Sequence, residues 1–180
     1  MIEIEVKAHV DEPKQMERAV IALGASPIGI ESQVDTYYNT PYRDFGETDE
    51  ALRIRVQNGV SFLTYKGPKM DRVSKTRKEF QAGINDANTM GNILSSLGFF
   101  PVATVTKKRK NFRLGDFFIS LDEVRNLGDF IEIEMSVKDS YNYEEKVESV
   151  FKLIEKLGIS RESTIRSSYL EMVLEKKLTG

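Results

Sequence analysis

Glu3 and Glu5 alternate with Ile2, Ile4 and Val6 and lead to Lys7, and the same alternation returns near the other end of the chain as Glu132 and Glu134 in "FIEIEMS". Arg53 and Arg55 are spaced by two, as are Lys107 and Arg109, and Arg77 and Glu79. Lys66, Asp35 and Asp122 occupy polar positions of similarly alternating segments. Residues two apart on a strand project from one face, so these spacings gather charge on one side and leave Ile2, Ile4, Val6, Leu52, Ile54, Ile131 and Ile133 on the other. Adjacent carboxylates are hard oxygen donors suited to Mg²⁺ or Mn²⁺, and paired guanidinium and ammonium groups suit phosphate.

For one strand, such a pattern is what any sheet with a solvated face shows. Over many strands, a wet face would draw freely on Thr, Ser, Asn and Gln, whereas here the central positions are Glu, Asp, Lys or Arg. The alternative is a wet tunnel lined by charge, with the apolar face packed outward. Burying ions costs several kcal/mol each, about that even after relaxation, so a dense internal set needs solvent or a charged ligand. Lys7, Arg53, Arg55, Lys66, Arg77, Lys107 and Arg109 nearly balance Glu3, Glu5, Glu79, Asp122, Glu132 and Glu134. The ligand that accounts for both signs is a polyphosphate held by the cations together with divalent metal held by the carboxylates.

Other chemistries are poorly supplied. The single histidine, His9, sits at a strand end and cannot form a histidine-rich metal site; the absence of cysteine excludes disulfides and thiolate chemistry. No Gly-x-x-x-x-Gly-Lys-Ser/Thr loop is present. "KKRK" at 107–110 splits its charges between two strand faces, so it does not read as a nucleic-acid patch.

The elements that must carry these residues are alternating segments at 2–9, 28–39, 51–57, 60–66, 74–82, 103–112, 116–124 and 130–138, interrupted by helices. Pro13 opens a first helix that Gly24 ends; Asp86 caps a second that Gly98 ends; a third runs through Val147, Val150, Phe151, Ile154 and Leu157 to Gly158. A fourth is expected to start at Ser163 and carry Ile165, Tyr169, Met172 and Val173. A strand, helix and Leu-Gly recur three times: the same spacing separates Glu5 from Gly24 and Glu79 from Gly98, and a longer one separates Glu134 from Gly158. The loop "GPKMDRVSK" reads as a mobile basic flap. The expected fold is α+β, an antiparallel β-sheet closed or nearly closed into a barrel with helices packed outside.

The chain has 180 residues and a formal net charge of −2, which is consistent with one domain over 1–180 and argues against a nucleic-acid or membrane-surface binder. It opens without a signal-peptide pattern and holds no long apolar run, so a cytoplasmic location and no membrane partner are expected.

The ordered motifs resemble those of the CYTH superfamily, the triphosphate tunnel enzymes that include class IV adenylyl cyclases and thiamine triphosphatases. The Glu-x-Glu-x-Lys of Glu3, Glu5 and Lys7 is followed by "VDTYYNTP" with Asp35 and Tyr37, "ALRIR", "LTYKGP", "TRKEF", "VTKKR", "LDEV", "LGDFIEIE" and "SYLEM". The resemblance covers essentially the whole chain and is nearest to the class IV cyclase branch. It implies an eight-stranded antiparallel tunnel, Mg²⁺ or Mn²⁺ as cofactor, a nucleoside triphosphate or another triphosphate as partner, and a homodimer. Arg53, Arg55, Lys66, Arg77, Lys107 and Arg109 would hold phosphates. Glu3, Glu5, Glu132 and Glu134 would bind metal, with Asp122 and Glu79 completing or orienting that set. Glu5 and Lys7 would be catalytic, Lys7 contacting phosphate or positioning the nucleophile. The reaction implied is ATP to cyclic AMP and pyrophosphate. The same site would serve a triphosphatase acting on tripolyphosphate, nucleotides or thiamine triphosphate, and a third reading is a non-catalytic polyphosphate or RNA-binding module.

Overall fold

The computed structural model describes residues 2–69, 77–137 and 142–179. Within them the chain forms strands β1 (Ile2–His9), β2 (Ser26–Asn39), β3 (Ala51–Gln57), β4 (Val60–Lys69), β5 (Arg77–Ile84), β6 (Phe100–Leu114), β7 (Phe117–Val124), β8 (Gly128–Val137) and β9 (Thr164–Ile165). Helices α1 (Pro13–Ala22), α2 (Ala87–Ser96), α3 (Tyr143–Lys156) and α4 (Tyr169–Thr179) and a 3-10 turn (Arg161–Ser163) complete it. The strands hydrogen-bond in the order β5-β4-β3-β2-β6-β7-β8-β1-β9. The fold is therefore α+β with an antiparallel sheet, of nine strands among the described residues where eight were expected. The ninth strand is the two-residue β9, which pairs with β1 through Lys7 opposite Ile165. Of the expected flap, Gly67, Pro68 and Lys69 end β4; its residues 70–75, including Lys75 of the expected charged face, residue 76 of the expected strand 74–82 and residue 138 at the end of the last expected strand lie outside the described residues.

The described chain divides into two compact units. The first takes in residues up to Glu31 and Lys108–Arg166; the second takes in Ser32–Lys69, Arg77–Lys107 and the segment from Ser167. In the first unit Ile4, Val6 and Ala8 of β1, Ile119 and Leu121 of β7, and Ile131, Ile133 and Met135 of β8 form one buried cluster. Val20 of α1 and Val150, Phe151, Leu153 and Ile154 of α3 cover it. The helices present their apolar stripes to the alternate residues that the strands supply, which is why this face is dry. In the second unit Tyr38, Leu52 and Ile54 pack with Phe45 and with Leu94 of α2.

Each of α1, α2 and α3 ends on a leucine whose backbone N–H returns to the last turn, followed by a glycine at positive φ: Gly24 at 92°, Gly98 at 89° and Gly158 at 84°. Any other side chain would be strained there, so the three Leu-Gly steps are helix stops imposed by backbone geometry. Asp86 caps α2 as expected, its carboxylate accepting the Thr89 N–H at 2.6 Å.

The fourth helix differs from expectation. Ser163 closes a 3-10 turn, and Ile165 lies in β9 rather than on a helix. The start falls at Ser168, whose hydroxyl accepts the Glu171 N–H at 3.1 Å while Glu171 accepts the Ser168 N–H at 2.5 Å. That reciprocal capping box outweighs the weaker start signal at Ser163, because Thr164 and Ile165 are β-branched and find a strand partner in β1. Among the described residues no helix is long and apolar enough to cross a membrane.

Ile154 is fully buried at the centre of the α3 contact with β1 and β8. Ile154→Ala should destabilise the protein by about 3 kcal/mol through lost burial and a residual cavity, measured as a shift in urea midpoint with unchanged slope. A change below about 1 kcal/mol would mean that this contact does not carry the first unit's core.

Candidate functional site

In the second unit the polar face is built from strand register. Asp35 stands opposite Arg55 and Tyr37 opposite Arg53 across β2 and β3, and Lys66 stands opposite Glu79 across β4 and β5. Asp35 is 2% exposed. Its carboxylate accepts Arg55 Nε and Nη2, each at 2.6 Å, and Arg53 Nη1 at 3.3 Å. One buried carboxylate thus orients two guanidinium groups in a planar, two-pronged geometry that Lys could not supply. Lys66 Nζ lies 2.6 Å from Glu79, and Arg53 Nη2 lies 3.9 Å from the same residue. Lys107 is buried, and its charge acts on Asp35.

Burial works to raise the Asp35 pKa, but the Arg55 hydrogen bonds and the charges of Arg53, Arg55 and Lys107 outweigh it and leave the carboxyl at about 2, below its ordinary 3.8. Burial, followed by the Asp35 charge, pushes the Tyr37 phenol up, so Tyr37 stays protonated and accepts a hydrogen bond from Arg53. Burial acts to lower the Arg53 pKa, yet Asp35, Tyr37 and Glu79 raise it overall. The Arg53 Nε–H is buried and finds no hydrogen-bond acceptor among the described residues. On this face Arg53, Arg55, Lys66, Arg77 and Lys107 are set against Asp35 and Glu79. The excess is basic, and the buried Arg53 Nε–H meets no oxygen of the described residues.

Arg77 is held differently. It stands opposite Lys69, and both reach Asp49: Lys69 Nζ at 3.0 Å and Arg77 Nη2 at 3.6 Å. Asp49 also accepts the Lys69 backbone N–H at 2.7 Å. Sequence reasoning placed Lys69 in the flap and passed over Asp49. Alternation carries no signal for Asp49, which lies outside the strands at a positive φ of 55°.

In the first unit the polar face is acidic. Lys7, only 1% exposed, stands opposite Glu132, and Glu5 stands opposite Glu134 across β1 and β8. Glu3 is placed by its backbone opposite Ser136; its side chain lies outside what is described. Arg109 donates Nε and Nη2 to the two oxygens of Asp122, each at 2.6 Å, and Nη2 also to Glu132. Asp122, expected near metal, is thus directed at Arg109, as is Glu132 in part. Glu79, the other supporting metal residue, is ion-paired to Lys66 in the second unit. His9 is exposed and packs against Phe130 in a tilted pair, 4.3 Å between ring centroids, the strand-end role expected of it.

Among the described residues no three carboxylate or imidazole groups converge as a preformed metal cluster. Glu5 and Glu134 nevertheless fit a divalent cation. They are hard oxygen donors in direct cross-strand register, where two like charges repel and a cation between them would relieve the repulsion. Mg²⁺ takes one or two carboxylates and completes its shell with phosphate oxygens and water, so two protein donors suffice.

The Asp35 shift has a consequence for stability. A carboxyl depressed in the folded state contributes stability that is fully present above the unfolded value, near 3.8, and is lost as pH falls toward 2. The stability difference between wild type and Asp35→Asn should therefore shrink by about 2 kcal/mol between pH 5 and pH 2, read from urea unfolding across that range. A difference that stays constant with pH would show that Asp35 is not held ionised by the two arginines.

With the geometry in hand, the chain can be compared with known proteins. Residues 1–169, and so parts of both units, match the CYTH domain. A Methanocaldococcus jannaschii protein named "Putative adenylate cyclase MJ0240" is 41% identical over 96% of this chain and 98% of its own length. "Adenylate cyclase CyaB" of Aeromonas hydrophila is 26% identical over 98% of this chain and 91% of its own. The solved structure of the PH1819 protein from Pyrococcus horikoshii superposes with a TM-score of 0.89 at 41% identity, covering 97% of this chain and 99% of that one. The ordered charged motifs, the antiparallel α+β sheet and these matches agree: the chain belongs to the CYTH domain family.

Proposed function

We propose that the protein is a divalent-metal-dependent enzyme acting on a nucleoside triphosphate, of the class IV adenylyl cyclase type, turning ATP into cyclic AMP and pyrophosphate. The observation that carries this reading is the basic face of the second unit, where the buried Arg53 Nε–H has no acceptor among the described residues and Arg55 is held in a fixed plane beside it. A phosphate oxygen supplies the acceptor that this donor needs. Membership of the CYTH family and the cyclase names of its relatives support the choice of reaction.

In this reading Arg53, Arg55, Lys66 and Lys107 bind the phosphate chain, with Asp35 setting the direction of both guanidinium groups. Arg77 takes the end of the chain nearest Asp49. Arg109, directed by Asp122 and Glu132, stabilises charge that develops on phosphate oxygens. Glu5 and Glu134, assisted by Glu3 and Glu132, hold Mg²⁺ or Mn²⁺, which when bound would lower the pKa of the attacking hydroxyl and neutralise the leaving pyrophosphate. Lys7, buried opposite Glu132, contacts phosphate or positions the nucleophile. The ribose 3′-oxygen forms a bond to the α-phosphorus, the bond from that phosphorus to the bridging oxygen breaks, the hydroxyl proton passes to solvent water, and pyrophosphate departs. Positioning and electrostatics are the protein's share of that step.

The charged groups named above address phosphate and metal, which equally serves attack by water on the terminal phosphorus. A triphosphatase is the second reading. Incubation with ATP and Mg²⁺ or Mn²⁺ separates the two: cyclic AMP with pyrophosphate is expected, and release of inorganic phosphate without cyclic AMP would replace the cyclase by the triphosphatase. Binding of triphosphates without turnover of any would favour a non-catalytic module instead.

The residue assignments are tested separately. Glu5→Gln, Arg55→Ala and Arg53→Lys should each lower turnover by about 100-fold or more, the range for losing an oriented charge-stabilising group, while far-ultraviolet circular dichroism shows the fold retained. Arg53→Lys is the sharpest of these, since it keeps the charge and removes the unsatisfied Nε–H. Full activity in all three would refute the site.

A further inference from the structure

The closing segment "SYLEM" contains a capping box in which Ser168 and Glu171 satisfy each other's backbone N–H groups at the start of α4. Tyr169, between them, takes no part in that exchange and is only 7% exposed. Its ring lies under Lys107, with Nζ 4.9 Å from the ring centroid, and Lys107 is itself only 5% exposed. A buried ammonium is costly unless its charge is met, and the electron-rich face of an aromatic ring adds to the Asp35 charge in meeting it. The helix is fastened to the same unit at two further points: Glu171 lies 3.6 Å from Lys69 Nζ, and Lys177 donates to the Val102 carbonyl, on the strand that carries Lys107, at 3.3 Å.

We infer that Tyr169 is a positioning residue for the reaction, a platform carried by α4 that holds the Lys107 ammonium in place for phosphate binding. The C-terminal helix is then part of the site: the capping box fixes where α4 begins, that start fixes the Tyr169 ring, and the ring fixes the ammonium. The inference rests on the reading of Lys107 as a phosphate-binding group.

The test is a thermodynamic cycle on binding rather than turnover. Wild type, Tyr169→Leu, Tyr169→Phe, Lys107→Met and the double variant Tyr169→Leu/Lys107→Met are titrated calorimetrically with hydrolysis-resistant diimidotriphosphate and Mg²⁺. Tyr169→Leu should bind about tenfold more weakly, within the range for a desolvated cation over an aromatic ring. Tyr169→Phe, which keeps the ring face, should stay within about twofold of wild type, and the double variant should bind as Lys107→Met does. If Tyr169→Leu does not fold, Tyr169→Met takes its place with the same expectation. Wild-type affinity in the Leu variant, or an equal loss with and without Lys107, would assign Tyr169 a purely structural role and overturn the inference while the phosphate reading stands. Wild-type affinity in Lys107→Met, or no binding by wild type, would remove the phosphate reading of Lys107 and this inference together.

Discussion

Asp35 and Arg109 show the constraint on which the polar faces depend: an ion withdrawn from water must be met by opposite charge in good hydrogen-bond geometry. In the second unit one carboxylate meets two guanidinium groups, and in the first one guanidinium meets two carboxylates. Breaking either arrangement by removing its central member would leave uncompensated charges behind, which is far costlier than the arrangement is stabilising. These networks are therefore read as devices of orientation. They hold Arg53, Arg55 and Arg109 in defined planes, so that little remains to be ordered when a ligand arrives.

The networks also divide the work by sign. The second unit's face carries a basic excess, and the first unit's face carries Glu5, Asp122, Glu132 and Glu134 against Lys7 and Arg109. Each face by itself has its own demand: the second unit's basic excess suits an anion, and the first unit's carboxylates suit a cation.

Much of this was legible in the sequence, because apolar and charged residues alternate with the strand period of two where one face is dry and the other is not. "IEIEVK" and "FIEIEMS" announce an oily face and a charged face, and Ile4, Val6, Ile131 and Ile133 are indeed at 4% exposure or less. The glycines after Leu23, Leu97 and Leu157 announce helix ends, since a helix commonly stops on a residue at positive φ and glycine takes that conformation without strain. Ser163 misled because a capping residue is a local signal, and the strand partner that claims Thr164 and Ile165 is β1, far away along the chain. Asp49 escaped the sequence reading for a related reason: a turn carboxylate has no period to reveal what it will bind.

By itself the sequence determined which residues are charged together, on which face of which strand, and where the first three helices stop, because those properties follow from backbone periods of two and 3.6 residues and from the freedom of glycine. Tertiary structure decided the partners. Register set Glu5 opposite Glu134 and Asp35 opposite Arg55, and packing brought Asp122 to Arg109 and Tyr169 beneath Lys107. The physical reason is that a strand's period is a property of one segment, whereas register and side-chain pairing depend on how separate segments are aligned. A shift of a single residue would preserve every alternation and change every partner.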